Sequence, residues 1–296
     1  VYLLIQNANA TPENNSLPLE TGGIDFNPLK NRSFIEEEYL VNLRKIFWRY
    51  NIKGFAPYLR AVGEFNNRKL EIIGTWFEKE NSFPEGETFV EGIKKTMPWL
   101  IVKGEWIDDE KDYNAGMINE EAAREFSVSA GDRIEISLYG MGRLIKAELS
   151  VKGIIKGDPS QNAKIYVPLR FLQDKLDLKG KVQEIEVSAL TTPDNELAKK
   201  AAEDRDSLSS EEFERWYCTA YVSSVAFQIE EVIPKASAKP IRRVAEAEGR
   251  VLKKLKTLMA LLSALALMGA ILSIWSLMTT AVLERTQEIG IMKAVG

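Results

Sequence analysis

One long stretch of the sequence carries no charge at all. Between Thr257 and Leu283 there is no Asp, Glu, Lys or Arg, although these residues make up 28% of the chain. As an α-helix the stretch would extend about 40 Å, which exceeds the hydrocarbon core of a bilayer, about 30 Å. The alternative is a buried helix of a globular protein, but such helices seldom run this far without a charge. The stretch therefore predicts a transmembrane helix, and its position near the C-terminus excludes a signal peptide.

Small and hydroxyl-bearing residues recur along this predicted helix at spacings of three and four. Such spacing places them on one face, where another helix can approach closely. The alternative is that small residues are simply common in membrane helices. We expect a helix-packing face, with its partner helices outside a chain that begins at Val1, stops at Gly296 and is a portion of a longer membrane protein. The residues of this face are Ala266, Gly269, Ser273, Ser276 and Thr280.

The composition excludes several kinds of active site. The chain has no histidine, so it can form neither a Ser-His-Asp triad nor a histidine-ligated zinc or haem site. Its net charge of −4 argues against a nucleic-acid-binding protein. The sequence contains neither a GxSxG nucleophile elbow nor a phosphate-binding loop. We therefore expect a chain with no catalytic residues, no metal site and no cofactor of its own.

A single cysteine and three groups of carboxylates are the remaining candidates for chemistry. Cys218 lies among aromatic residues in RWYCTAY, which is typical of a cysteine that fills the core. A reactive or metal-binding thiol would need a nearby cation or further ligands that the sequence does not indicate. The carboxylate groups lack the spacing of a calcium loop, which favours solvated surface charge. These groups are Glu36–Glu38, Asp108–Asp112 and Glu211–Glu214.

Residues 1–238 predict an α+β domain, because short strands and helices mix without a regular strand-helix-strand repeat. Two hairpins are predicted, one around the Asn66-Asn67 turn and one around Gly140-Met141-Gly142. Further strands are expected in AKIYVPLRFLQDKL, which then enters a helix, and in KVQEIEVSAL, while another helix is expected around Asn119–Phe126.

The N-terminal part of this domain is less regular. VYLLIQNA could be a strand or the exit of an earlier membrane helix, and the polar residues 9–30 predict a long loop. A helix is expected over Phe34–Tyr50, with Leu40, Leu43 and Phe47 buried.

A connecting helix is predicted between the domain and the membrane. Pro240 is well placed at a helix start, and apolar residues then keep a nearly seven-residue rhythm that runs into the charge-free stretch. Packing against the domain would give a similar stripe, but the uninterrupted passage favours a rigid stalk. We expect a stalk over 239–256, a transmembrane helix over 257–283 and a distinct segment over 284–296. The stripe consists of Val244, Val251, Leu255, Leu258 and Leu262.

The segment ERTQEIGIMKAVG follows the charge-free stretch directly. Its charges, glycines and spaced aliphatic residues predict a short amphipathic element along the membrane surface. The string also resembles the ER-x-x-EIG-x-x-KA-x-G signature that follows the second membrane helix of FtsX/MacB-type ABC transporter permeases. In that family the signature forms the cytoplasmic region that touches the ATPase subunit. The resemblance assigns this ATPase-coupling role to Glu284, Arg285, Glu288, Ile289, Gly290, Lys293, Ala294 and Gly296.

The resemblance also implies an organisation for the whole chain. The family has an extracytoplasmic domain between its first and second membrane helices, so residues 1–240 would lie outside the cytoplasmic (inner) membrane. The segment AGMINEEAAREFSVSAGDRIEIS is similar to the outer-domain pattern of the MacB group. FAPYL, GTWF and RWYC resemble segments of family members found with bacterial iron-uptake systems. The distribution of basic residues points the other way, since more of them precede the membrane stretch than follow it.

The expected function is therefore that of a non-enzymatic permease subunit of an ABC transporter. It would transmit motion from a partner ATPase, which holds ATP and Mg, to the outer domain, for export, extraction or release of a substrate. The implied partners are that ATPase, a second permease copy or a related permease in a dimer, the lipid bilayer and an extracytoplasmic protein. Two alternatives remain open: a single-pass sensor or receptor ectodomain, and an FtsX-like regulator of cell-wall hydrolases that transports nothing.

Overall fold

The computed structural model describes residues 1–10, 33–82, 86, 88–140, 143–158, 160 and 162–296. The predicted loop over 9–30 therefore lies almost entirely outside the described residues. The chain divides into two units, Val1–Ile241 and Arg242–Gly296.

Strands dominate the first unit. In chain order they are β1 Tyr2–Asn7, β2 Ile35–Glu36, β3 Ile52–Phe65, β4 Arg68–Thr75, β5 Lys79–Ser82, β6 Thr88–Glu91, β7 Ile101–Gly104, β8 Ala115–Asn119, β9 Arg133–Gly140, β10 Arg143–Lys156, β11 Lys164–Pro168, β12 Lys181–Val182, β13 Glu184–Ala189 and β14 Ala236–Pro240.

Helices lie between these strands. Two are 3₁₀ helices, Glu37–Arg44 and Arg205–Ser207, and the others are α1 Ile93–Thr96, α2 Glu120–Phe126, α3 Leu169–Leu176, α4 Glu196–Glu203, α5 Ser210–Tyr217, α6 Val222–Val232 and α7 Arg242–Val295. This combination confirms the predicted fold class, an α+β domain followed by a long helix.

Six strands close into a ring. β3 pairs with β4, β4 with β11, β11 with β8, β8 with β10, β10 with β9, and β9 again with β3. The β4–β11 and β8–β10 pairs are parallel and the other four are antiparallel. β13, β1 and β14 extend the sheet from β3, and β7 pairs with the end of β10.

The interior of the ring forms the main core. Because side chains alternate between the two faces of a strand, each of the six strands sends every second residue inward. One buried cluster thus contains Leu59, Ile72, Ile118, Ile136, Leu149 and Ile165, each from a different strand. Helix α3 packs so closely on β4 that a Cβ at Gly74 would lie 2.9 Å from the Cβ of Leu172.

Both predicted hairpins are confirmed. β3 and β4 are joined by Asn66 and Asn67, whose φ angles of 49° and 60° match the two left-handed positions of a tight hairpin turn. β9 and β10 are antiparallel partners, and the pair of residues nearest their connection is Gly140 with Arg143. The two residues that join the strands lie outside the described part of the chain. The strand-helix passage through β11 and α3, the strand β13 and helix α2 are also where the sequence predicts them.

The N-terminal residues form strand β1, which pairs with β13 and β14. The predicted helix over Phe34–Tyr50 is wrong in type and length, because the chain forms β2, a 3₁₀ helix that ends at Arg44 and then a series of turns. Leu40 and Leu43 are buried as expected, but Phe47 is 61% exposed. Arg44, the last residue of the 3₁₀ helix, donates hydrogen bonds to the carbonyls of Arg49 and Ile52, which hold the following turns in place.

The second unit is one helix, α7, of 54 residues. Its stretch Leu265–Leu283 is long and apolar enough to cross a membrane, and none of it is buried. The chain leaves the first unit after β14, so Pro240 ends a strand rather than starting a helix, and the predicted boundary at 238 falls inside that strand. The predicted amphipathic segment after residue 283 continues the same helix without a break as far as Val295.

Candidate functional site

The predicted ATPase-coupling residues occupy the last turns of α7. Arg285, Ile289, Lys293 and Ala294 are helical and exposed, and Ile289 retains 56% of its surface. Glu284 and Glu288 are helical in their backbone, and their side chains lie outside the described part. The last member of the set, Gly296, directly follows the helix. The structure therefore gathers the predicted coupling residues on one short helical stretch.

The helical geometry sorts these residues into faces. At about 100° per residue, Arg285, Ile289 and Lys293 share one face of α7, and positions 284 and 288 share a neighbouring face. A Cβ built at Gly290 meets no atom within 4 Å. Gly290 thus leaves a strip of helix backbone open, which is the condition for close approach by another chain. The arrangement offers charge, an aliphatic side chain and open backbone, and it offers no catalytic group.

The predicted helix-packing face lies earlier on the same helix. Ala266, Gly269, Ser273, Ser276 and Thr280 are all exposed, and a Cβ at Gly269 would also meet nothing within 4 Å. The Thr280 hydroxyl donates to the carbonyl of Ser276 at 3.0 Å, so its proton is already used within the helix. Large apolar side chains on this stretch are exposed as well, including Trp275 at 71%. Such exposure is what a surface covered by lipid or by other helices requires.

A cluster of charges on the outer face of the sheet is the feature that the sequence reasoning missed. Arg60 on β3 donates from Nη1 to Oε1 of Glu71 at 2.7 Å and from Nε to Oε2 of Glu184 at 3.1 Å. Lys164 Nζ lies 3.5 Å from the second oxygen of Glu71, and Gln6 Nε2 donates to Glu184 Oε1 at 2.9 Å. Five strands are thereby joined across one face. The available signal was Arg60, a single charged residue within the otherwise uncharged run GFAPYLRAVG of β3.

Electrostatics in this cluster follow from burial and pairing. Burial opposes the charged guanidinium of Arg60, but the carboxylates of Glu184 and Glu71 outweigh it, and the pKa of Arg60 is raised. Burial also opposes ionisation of Glu71, yet Arg60 and Lys164 hold the pKa of that carboxyl below its ordinary value. Glu186, on the same face, has a raised pKa because burial outweighs its attraction to Arg60. The cluster is therefore a charged network that ties the strands together.

Each of the three carboxylate groups contains a side chain that holds local structure, so the expectation of purely solvated charge is wrong for those side chains. Glu37 accepts hydrogen bonds from Trp76 Nε1 at 3.2 Å, Lys79 Nζ at 2.9 Å and Gln173 Nε2 at 2.8 Å. Asp109 Oδ2 accepts from the backbone N–H groups of residues 77 and 78 at 2.9 and 2.7 Å. Burial raises the pKa of Asp109 to about 6, against the opposing effect of these two hydrogen bonds.

The third carboxylate group, Glu211–Glu214, lies in helix α5, and Cys218 directly follows that helix. Glu212 completes a capping box with Ser209 and pairs with Lys200, and these hydrogen bonds lower its pKa to about 2. Cys218 ends the helix and is exposed, so the expectation that it fills the core is wrong. Trp216 takes that place instead, since it is fully buried and donates from Nε1 to Ser223 Oγ at 2.9 Å.

Comparisons with known proteins were made for family models, curated proteins and solved structures. No family model matches the chain, and no curated protein matches it. Among solved structures, the periplasmic region of MacB from Actinobacillus actinomycetemcomitans is similar with a TM-score of 0.46 and 11% identity, over 84% of this chain and 92% of that one.

A second solved structure has a similar fold. It is the extracellular domain of the noncanonic ABC-type transporter YknZ from Gram-positive bacteria, with a TM-score of 0.44 and 12% identity, over 81% of this chain and 100% of that one.

Proposed function

We propose that this chain is part of a membrane permease subunit of an ABC transporter and works as a mechanical transmitter. The observation that carries the proposal is the string ERTQEIGIMKAVG, which continues directly from an apolar stretch long enough to cross a membrane. In the structure both belong to one helix, and the described side chains of the string are exposed. A signature placed so that a second protein can reach it supports a coupling role.

The length and continuity of α7 support transmission. A helix of 54 residues extends roughly 80 Å, and such a helix bends only gently unless a proline or a bulge interrupts it. Residues 242–295 contain no proline. A push or rotation at the coupling residues would therefore travel along the helix to Arg242, which is covalently joined to the domain through Ile241.

The proposal assigns the chemistry to another chain. A partner ATPase would bind ATP and Mg and hydrolyse the nucleotide, and this chain would contribute no catalytic group. Since such ATPases act as pairs, we expect two permease subunits, either two copies or this chain with a related one. Residues 1–240 would lie outside the inner membrane and contact a substrate or a partner protein there. Export, extraction or release of that substrate, including a link to iron uptake, would be the outcome.

The test measures stimulation of the ATPase by the full-length permease in nanodiscs. Glu288→Lys and Gly290→Trp are expected to reduce stimulation to the rate of the ATPase alone, because the first reverses a charge and the second fills the open backbone strip. Gln287→Lys and Ile291→Trp are matched controls at adjacent positions outside the signature, and we expect them to retain most of the stimulation. Unchanged stimulation in the first two variants would refute the coupling role.

A further inference from the structure

We propose that a basic and aromatic turn of the first unit docks onto an anionic lipid surface. This turn, which we call the aromatic turn, covers residues 45–53 and reads KIFWRYNIK, with three basic residues, three aromatic residues and no acidic one. It connects the first 3₁₀ helix to β3. The inference rests on the proposed function, because a lipid surface is available to a chain that is held in a membrane.

The aromatic turn is held in place by contacts from its backbone and from buried side chains. Arg44 forms an ion pair with the buried Glu91 and donates to the carbonyls of residues 49 and 52. Trp48 Nε1 donates to the carbonyl of Tyr217 at 3.1 Å. Asn51 Nδ2 donates to the carbonyl of Leu190 at 2.9 Å, and its own carbonyl accepts from the N–H of that residue at 2.9 Å. A turn fixed in this way presents its outward side chains with little loss of backbone entropy on binding.

Its outward side chains are large and apolar. Phe47 is 61% exposed and Tyr50 is 81% exposed, which is unusual for aromatic side chains in a rigid turn. The guanidinium of Arg49 lies 4.9 Å from the ring centre of Tyr50 and donates to its hydroxyl at 3.2 Å. The pair therefore shows an aromatic ring with a cation against it, a combination that suits the boundary between lipid headgroups and acyl chains.

The basic side chains of the aromatic turn form no ion pair with the described residues. Among the described residues, Lys45, Arg49 and Lys53 have no carboxylate within ion-pairing distance, whereas most other ordered bases of the first unit are paired. An unpaired basic group without acidic neighbours in its own segment is complementary to anionic headgroups. Each such base near an anionic leaflet strengthens association by about five-fold.

The aromatic turn lies at the end of the first unit from which the chain continues into α7. Ile52, which belongs to the aromatic turn and is the first residue of β3, pairs with Ala189, and Ala189 exchanges backbone hydrogen bonds with Val1. The N–H of Ile241 donates to the carbonyl of Tyr2 at 2.8 Å, so the chain leaves the unit at this same end of the sheet. The exposed apolar residue Leu190, at 55%, lies here too. The end that carries the exit to the apolar helix is thus also an apolar and basic end.

The chain contains its own reporter for this contact. Cys218 is its single cysteine and is exposed, and the neighbouring ring of Tyr217 lies 6.4 Å from the ring of Phe47. The experiment places the full chain in nanodiscs, attaches an environment-sensitive dye to Cys218 and measures dye quenching by lipids that carry a quencher on the headgroup. One set of nanodiscs contains phosphatidylcholine alone and the other contains about one third phosphatidylserine.

We expect stronger quenching in the anionic nanodiscs. The double variant Lys45→Gln/Arg49→Gln should weaken docking about 25-fold, as the product of two five-fold effects, and only with the anionic lipid. Phe47→Ser/Tyr50→Ser should reduce quenching in both lipids. The matched control is Lys69→Gln/Arg143→Gln, which removes two exposed bases beside the far end of β3 and should leave quenching unchanged.

The inference would be overturned if quenching were equal in the two lipids and unchanged by the substitutions in the aromatic turn. So would a dye that stays unquenched while Phe47 crosslinks to a protein partner, since the apolar end would then be a protein interface. In both cases a chain that has entered the nanodisc leaves the proposed function standing. A chain that does not enter the nanodisc would contradict the proposed function, and this inference with it.

Discussion

Arg60 and Glu71 form a largely buried ion pair, with Nη1 2.7 Å from Oε1, across the neighbouring strands β3 and β4. The Arg60 side chain is only 21% exposed and the Glu71 side chain only 8%. Water therefore compensates little when one partner is removed, and the charge that remains is left in a poorly solvated place.

Removal of Arg60 should destabilise the first unit strongly. We expect Arg60→Met to lower the free energy of unfolding by about 3–5 kcal/mol, because Glu71 and Glu184 both lose their main cation. Arg68→Met is the matched control, since the pair of Arg68 with Glu125 is exposed and should contribute less than about 1 kcal/mol. Urea denaturation followed by tryptophan fluorescence measures both. Equal losses in the two variants would contradict the buried network.

Asp109 should make stability depend on pH in a particular direction. Its pKa is raised to about 6 in the folded chain, so between about pH 4 and 6 the unfolded chain releases a proton that the folded chain keeps. This group's contribution is therefore complete below pH 4 and is lost as the pH rises through 6.

The corresponding variant is Asp109→Asn. It should remove a decline of about 1–2 kcal/mol between pH 4 and 7, because two pKa units correspond to about 3 kcal/mol and the half-buried carboxyl keeps part of its hydration. Asp108→Asn is the control, since Asp108 is exposed and hydrogen bonding to Lys111 lowers its pKa. Denaturation at a series of pH values tests this, and a decline that persists in Asp109→Asn would refute it.

The hairpin turn between β3 and β4 gives a test of backbone geometry. Asn67 has a φ of 60°, a conformation that glycine adopts freely and a β-branched residue resists. Asn67→Gly should preserve or slightly raise stability, whereas Asn67→Val should lower it by about 1–2 kcal/mol. Thermal unfolding distinguishes the two, and equal melting temperatures would show that the turn is not left-handed at this position.

A substitution at Gly290 distinguishes an effect on helix stability from an effect on ATPase coupling. Gly290→Ala should stabilise α7 by about 1 kcal/mol, because glycine is a poor helix former. If another chain approaches the open backbone there, the added methyl group should nevertheless reduce ATPase stimulation by the full-length permease. Helicity by circular dichroism and stimulated ATPase activity are measured together. Stimulation that is unchanged or increased would indicate that no close approach occurs at Gly290.

Cys218 can establish on which side of the membrane the first unit lies. It is the chain's single cysteine and is exposed, so an impermeant maleimide should label it in intact spheroplasts if residues 1–240 are outside the cytoplasm. Lys69→Cys in a Cys218→Ser background is a second exposed site on the same unit and should label equally. Labelling of both sites only after lysis would place the unit in the cytoplasm, as the basic residues before the apolar stretch alone would predict.

Sequence reasoning succeeded where the signal is local. The Asn66-Asn67 turn and the alternating runs around Gly140 identified two hairpins, because turn geometry and side-chain alternation depend on adjacent residues. It failed at Phe34–Tyr50, where the chain forms a short 3₁₀ helix followed by turns and where Arg44 contacts Glu91 and carbonyls further along the chain. It also failed at Cys218, since Trp216, two residues earlier, occupies the buried position.

The residues of the candidate functional site also fall into those that a local pattern indicates and those that only the fold brings together. The coupling residues and the small-residue face are patterns along one continuous helix, so the sequence alone was enough to predict them, and their roles stay predictions. The pairing of Arg60 with Glu71 and Glu184 could not be predicted, since it joins strands that are far apart in sequence.

The sequence by itself determined that this chain has a charge-free stretch long enough to cross a membrane, a segment directly after it that resembles a coupling signature, and no histidine. These properties depend on composition and on short-range order. Only the tertiary structure decided that six strands close into a ring and that the aromatic turn lies at the end where the chain exits. Those features arise from pairings between distant segments, whose free energy depends on packing and burial that no single stretch of sequence encodes.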